Sequence, residues 1–167
     1  GDGGVGVFSN GAPGGVGGGV GGGGVHDSHA GAGSFGTVGT FWFGQFAGGT
    51  YGSLELTPLL GGSGGGGSAS YVFACTPCQA IDGVGGGGGG GAVSIACSED
   101  VFLYGAVLLR GGDGASNASQ NEYSGPGSGG AFRVESQGDV HLFGTVDLSG
   151  GMGPTIPLAP TYGGLGG

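Results

Sequence analysis

Residues 90–114 and 129–153 are one motif written twice, 39 residues apart. GGAVSIACSEDVFLYGAVLLRGGDG set over GGAFRVESQGDVHLFGTVDLSGGMG gives twelve identities in 25 positions without a gap. One alternating set pairs Val93 with Phe132, Ile95 with Val134, Val101 with Val140, Leu103 with Leu142, Val107 with Val146 and Leu109 with Leu148, and every member is apolar. The interleaved set pairs Ser94 with Arg133, Ala96 with Glu135, Phe102 with His141, Leu108 with Asp147 and Arg110 with Ser149, so it accepts charge, rings and hydroxyls alike. A strict period of two means strands with one buried face. Each copy holds three such strands, interrupted at Ser98-Glu99 and Gly105 in the first and at Gln137-Gly138 and Gly144 in the second. Three short strands closed by Gly-Gly predict one coil of a solenoid. The expected fold is therefore all-β: a parallel β-helix or β-solenoid of short strands, combined with glycine-rich extended segments of the polyglycine type. Val101, Leu103, Val107 and Leu109 should meet Val140, Leu142, Val146 and Leu148 in a common interior.

Glycine fills 53 of the 167 positions, close to the collagen level, yet no Gly-X-Y period runs through the chain and only seven prolines occur. Hydrophobic residues at 37% argue against an ordinary disordered tail. Each ordered glycine costs roughly 0.5–1 kcal/mol relative to alanine, so a collective term must offset the ordering of so many. Backbone hydrogen bonding between coils or between subunits is the candidate.

Along the chain, residues 1–33 read as a glycine-rich extended segment in which valines rather than serines interrupt the glycines. Residues 34–153 read as the solenoid coils. Within them, 50–60 is an expected strand with Leu54 and Leu56 alternating with Ser53 and Glu55. The polar stretch 115–128 reads as a protruding insertion between the repeats. Residues 154–167 form an irregular tail of Pro and Gly, and no helix is expected anywhere.

The three cysteines are Cys75, Cys78 and Cys97. SYVFAC (70–75) matches AVSIAC (92–97) at an offset of 22, a suitable length for one coil. Coils stacked about 4.8 Å apart would bring Cys75 and Cys97 within disulfide reach. Cys75–Cys97 is the first choice, with Cys78–Cys97, a bridge inside Cys75-Thr76-Pro77-Cys78 and three reduced thiols as the alternatives. A bridge would imply an oxidising, extracytoplasmic setting.

Charge narrows the partners. There is no lysine, Arg110 and Arg133 are the only cations besides histidine, and the net charge is −9. Nucleic acid and anionic membrane surfaces need several cations, so neither is expected as a partner. No apolar run approaches the roughly 18 residues a membrane span requires. Residue 1 is Gly and no signal peptide is visible, which reads as a processed or partial product.

Catalytic chemistry finds little support. The glycine runs lack the Gly-Lys-Ser/Thr of a phosphate loop. His26 and His29, in His-Asp-Ser-His, have metal-like spacing but no third ligand nearby, so a solvated turn is the better reading and no metal is expected. The Cys-Thr-Pro-Cys segment lacks the βαβ context of a redox motif, and Asp113 stands in no complete calcium-binding nonapeptide. Glu135 and Asp147, the outward carboxylates of the second repeat, lie on different strands opposite Ala96 and Leu108, so no glycoside-hydrolysing pair is built. We expect no enzyme and no cofactor. Asn117-Ala118-Ser119 fits an N-glycosylation sequon. Phe41, Trp42 and Phe43 suit core or intersubunit packing, and Phe102, Tyr104 and Phe143 are apolar residues on outward strand positions.

Residues 48–68 and 85–114, with the second repeat, resemble the glycine-rich β-helical surface proteins of environmental bacteria, notably myxobacteria and their relatives. The first 33 residues also resemble, in composition, the glycine-helix sandwiches of certain phage adhesins. The first resemblance implies a secreted or surface-attached structural protein. The expected function is a structural protomer of an extracellular filament or surface assembly, built from copies of itself without catalysis. The alternative is an adhesin or passenger-type module that binds glycans or surfaces through the aromatic segment or the 115–128 loop.

Overall fold

The computed structural model describes residues 1–4, 18–19, 22–23, 25–26, 29–39, 47–68, 83–117 and 122–154. Among the described residues there are ten strands and no helix. β1 (Val25–His26), β2 (His29–Ala30), β6 (Ser116–Asn117) and β7 (Glu122–Tyr123) form one small sheet in the order β1-β2-β7-β6, parallel only where β2 meets β7. The remaining strands form three two-stranded parallel sheets. β3 (Ala92–Cys97) pairs β8 (Ala131–Ser136), β4 (Val101–Leu103) pairs β9 (Val140–Leu142), and β5 (Ala106–Leu108) pairs β10 (Thr145–Asp147). In all three the register joins each residue to its counterpart 39 positions on, as in Val93 to Phe132, Val101 to Val140 and Val107 to Val146.

This architecture corrects the solenoid expectation. The strands are few and short, the sheets are small and separate, and each parallel sheet stops at two strands among the described residues. The shared apolar row is not enclosed either. Val101 is buried, but Val140 and Leu142 are 44% and 58% exposed and Val93 and Leu148 also reach solvent. The strand expected over 50–60 is a turn instead. Leu56 N–H donates to the Ser53 carbonyl and Thr57 N–H to the Ser53 hydroxyl, each at 3.0 Å, and Leu56 has a φ of 50°. Here local serine hydrogen bonding wins over apolar alternation.

Most of the order lies outside the strands, in extended glycine segments that bond to one another with a period of three. Gly62, Gly65 and Ser68 donate to the carbonyls of Gly90, Gly87 and Val84 in turn. Gly86 and Gly89 donate to Gly4 and Gly1, whereas Gly87 and Gly90 donate to Gly125 and Ser128. Ser124, Gly127 and Gly130 donate to Ala115, Gly112 and Leu109. Every third residue facing the same neighbour is the signature of an extended helix with three residues per turn. Each segment can then bond to several neighbours at once, and residues 61–68 bond to segments at 4, 18–23, 31, 84–90 and 125–128.

Only glycine lets such segments approach so closely. A Cβ on Gly65 would stand 2.0 Å from the Gly125 carbonyl oxygen, and one on Gly87 would stand 2.0 Å from that of Gly112. The serines admitted to the lattice use their hydroxyls as backbone substitutes. Ser63 N–H donates to the Ser128 hydroxyl at 2.7 Å, and Val84 N–H donates to that of Ser68 at 2.8 Å. Ser63, Ser68 and Ser128 are fully buried, whereas the buried apolar residues described are Ala30, Ala32, Val101, Tyr123 and Ala131. Among the described residues the interior is thus a backbone lattice more than an apolar core. Each bond contributes about 0.5–1.5 kcal/mol net, the magnitude needed to offset the glycine ordering cost. The collective term sought in the sequence is found here within a single chain.

Candidate interaction surface

The parallel pairing of the repeats builds the chain's most distinctive surface. Phe102 lies over His141 with ring centroids 4.7 Å apart and planes 9° apart, and Tyr104 lies over Phe143 at 5.0 Å and 10°. His141 and Phe143 lie 6.1 Å apart, with planes 10° apart. Four nearly parallel rings therefore form two short ladders, in the offset-stacked geometry that aromatic pairs prefer. They are wet: Phe102, Tyr104 and Phe143 are 51%, 75% and 61% exposed, with Leu108 and Leu142 exposed on the same paired repeats. Sequence reasoning singled out Phe102, Tyr104 and Phe143 but missed His141. Its place opposite Phe102 in the repeat alignment was the available signal.

Side chains in the first repeat hold the second by fixed contacts. Asp100 Oδ1 accepts the backbone N–H of Asp139 at 2.8 Å, and Asp113 Oδ1 accepts that of Met152 at 2.8 Å, both across 39 residues. Asp113 is thus occupied by a structural contact. The turns after β3 and β8 are capped alike: Glu99 N–H donates to Cys97 Sγ at 3.4 Å, and Gly138 N–H donates to Ser136 Oγ at 3.0 Å.

That turn bears on the cysteine expectation. Cys97 is an exposed free thiol on that turn. Cys75 and Cys78 lie outside the described residues, as do Phe41, Trp42 and Phe43.

The two histidines face each other across a hairpin. His26 and His29 are register partners in the β1–β2 hairpin, and the His29 ring stacks on Tyr123 at 5.4 Å. No group of three or more metal-ligating side chains occurs among the described residues. Of the 115–128 stretch, residues 122–128 are buried rather than protruding. Asn117 sits on edge strand β6, and Tyr123, Ser124 and Ser128 are buried as the chain enters the glycine lattice. Ser119 of the sequon lies outside the described residues.

Both arginines are engaged by carboxylates. Arg133 pairs with Glu135 two residues along the same strand, and Arg110 Nε lies 3.4 Å from Asp147 Oδ2. Hydrogen bonds from the Ser149 hydroxyl and backbone N–H, with Arg110 adding attraction, hold the Asp147 carboxyl below the usual carboxylate range. Glu135 and Asp147 thus each face their own arginine rather than each other, which is an ion-pair arrangement and not an acid–base pair. No helix of the described residues is long and apolar enough to cross a membrane.

One further group went unnoticed in the sequence. Glu122 is 1% exposed on β7, hydrogen-bonded to Ser68, and among the described residues nothing donates to its Oε2. Burial pushes its pKa up, and the Ser68 hydrogen bond only partly opposes that.

No family model, no curated protein and no solved structure matches this chain.

Proposed function

We propose that the chain is a non-catalytic structural protein that associates with copies of itself in an extracellular or surface assembly. The observation that carries this reading is the apolar surface of the paired repeats. Phe102, Tyr104, Leu108 and Phe143 are all exposed on outward positions of repeats that hydrogen bonds join to one another. Grouped apolar residues of this size on a soluble protein mark an interaction surface. With both arginines engaged, the surface offers attraction through apolar and backbone contact rather than through charge. The resemblance to glycine-rich bacterial surface proteins supports an extracellular setting. Negative-stain microscopy of purified protein tests the reading: elongated assemblies support it, and single dispersed particles at every concentration oppose it.

The ring ladders favour a second reading, a module that binds glycans, because sugar rings stack on exposed aromatic faces. Under that reading the chain stays monomeric and is retained by a neutral polysaccharide matrix, and Tyr104→Ala loses that retention.

A further inference from the structure

We infer that a second copy docks head to tail on the repeats, in the same 39-residue register that pairs them within one chain. The docking joins the outer edge of β8, β9 and β10 to the outer edge of β3, β4 and β5 of the next copy. This rests on the self-association reading above and specifies its interface.

The chain already makes this contact once. The first repeat presents one edge to the second across three parallel ladders, and the two repeats share twelve of 25 residues. The outer edge of the second repeat therefore offers what the outer edge of the first accepted. Among the described residues no further strand pairs with either outer edge.

Three features show what a second copy would cover. The apolar row is open, with Val140 and Leu142 of the second repeat and Val93 of the first exposed, although these residues alternate toward the shared side of the strands. Each ladder ring has one face covered by its partner, so the next copy's Phe102 and Tyr104 would extend the ladders over His141 and Phe143. Finally, the Asp100 carboxylate caps Asp139 N–H inside the chain, while among the described residues nothing donates to the carboxylate of Asp139. In the same register Asp139 would accept Asp100 N–H of the next copy. Such a contact uses two different surfaces and does not close on itself, so it propagates.

Crosslinking tests the register. Copies with Cys75, Cys78 and Cys97 replaced by serine carry either Ala96→Cys or Glu135→Cys, which are exposed register partners on β3 and β8. Mixed under mild oxidation, the two variants should form disulfide-linked dimers containing one chain of each kind. Neither variant alone should crosslink, and Ala96→Cys with Arg133→Cys, two residues out of register, should not. Sedimentation of the unmodified protein runs alongside. Association without the mixed crosslink overturns this interface while leaving self-association standing. A monomer in sedimentation overturns both.

Discussion

The carboxylate of Asp100 accepts the backbone N–H of Asp139 at 2.8 Å, joining two residues that hold the same place in successive repeats. The identical side chain at both places means that the capping device of the first repeat is also present in the second, one layer further out. Asp100→Ala should cost about 1–2 kcal/mol of stability, the range for one charge-assisted hydrogen bond on the protein surface. Urea unfolding should show a lower midpoint with an unchanged slope, and Asp113→Ala, which removes the equivalent contact to Met152, should behave alike.

Glycine lattice positions should divide sharply by what a methyl group meets. Gly65→Ala places a Cβ 2.0 Å from the Gly125 carbonyl oxygen and should destabilise by about 3 kcal/mol or more. Gly36→Ala meets nothing within 4 Å and should be neutral. Gly105→Ala has room but a φ of 94°, so it should cost about 1–2 kcal/mol from backbone strain alone. Thermal melts of the three variants check the order.

Burial also separates two positions that the repeat alignment treats alike. Val101→Asp buries an unpaired carboxylate and should prevent folding, since such a group costs several kcal/mol. Leu142→Asp, at 58% exposure, should fold with a loss of about 1 kcal/mol while weakening association. Circular dichroism for folding and sedimentation for association read the two effects separately.

The contrast between Val101 and Leu142 shows how far the sequence could be read. Register was legible because side chains alternate over two copies: Val93 against Phe132 and Val101 against Val140 needed only the alignment. Enclosure was not legible, because it depends on how many layers stack and on what covers them. The lattice was hidden for a different reason. A period of three among residues without side chains leaves no mark except where a serine intrudes, as at Ser63, Ser68 and Ser128. Ser124 and Ser128 made 124–128 look like part of a polar insertion. Glu122, in a polar stretch before Gly125-Pro126-Gly127, read as solvated for the same reason. Its burial follows from the lattice rather than from its own neighbours in sequence.

Glu122 gives the chain a pH response of unusual sign for a carboxylate. Its folded pKa is raised above the ordinary glutamate value of 4.5, so the folded state holds the proton more tightly than the unfolded one. Its contribution is therefore fully present below the unfolded pKa and is lost as pH rises through the folded pKa. Glu122→Gln keeps a neutral group at all pH values and should be more stable than the parent at neutral pH. That advantage should shrink as pH falls through the folded pKa toward 4.5, as urea midpoints across the range would show.

Self-association is the central claim, and light scattering of the purified protein from low salt to about 1 M tests it most directly. The net charge of −9 repels copies at low ionic strength, and salt screens that repulsion without touching apolar or backbone contacts. The account predicts particles larger than one chain that persist or grow as salt rises. A stable monomer throughout, or assemblies that dissolve into monomers at high salt, would contradict it.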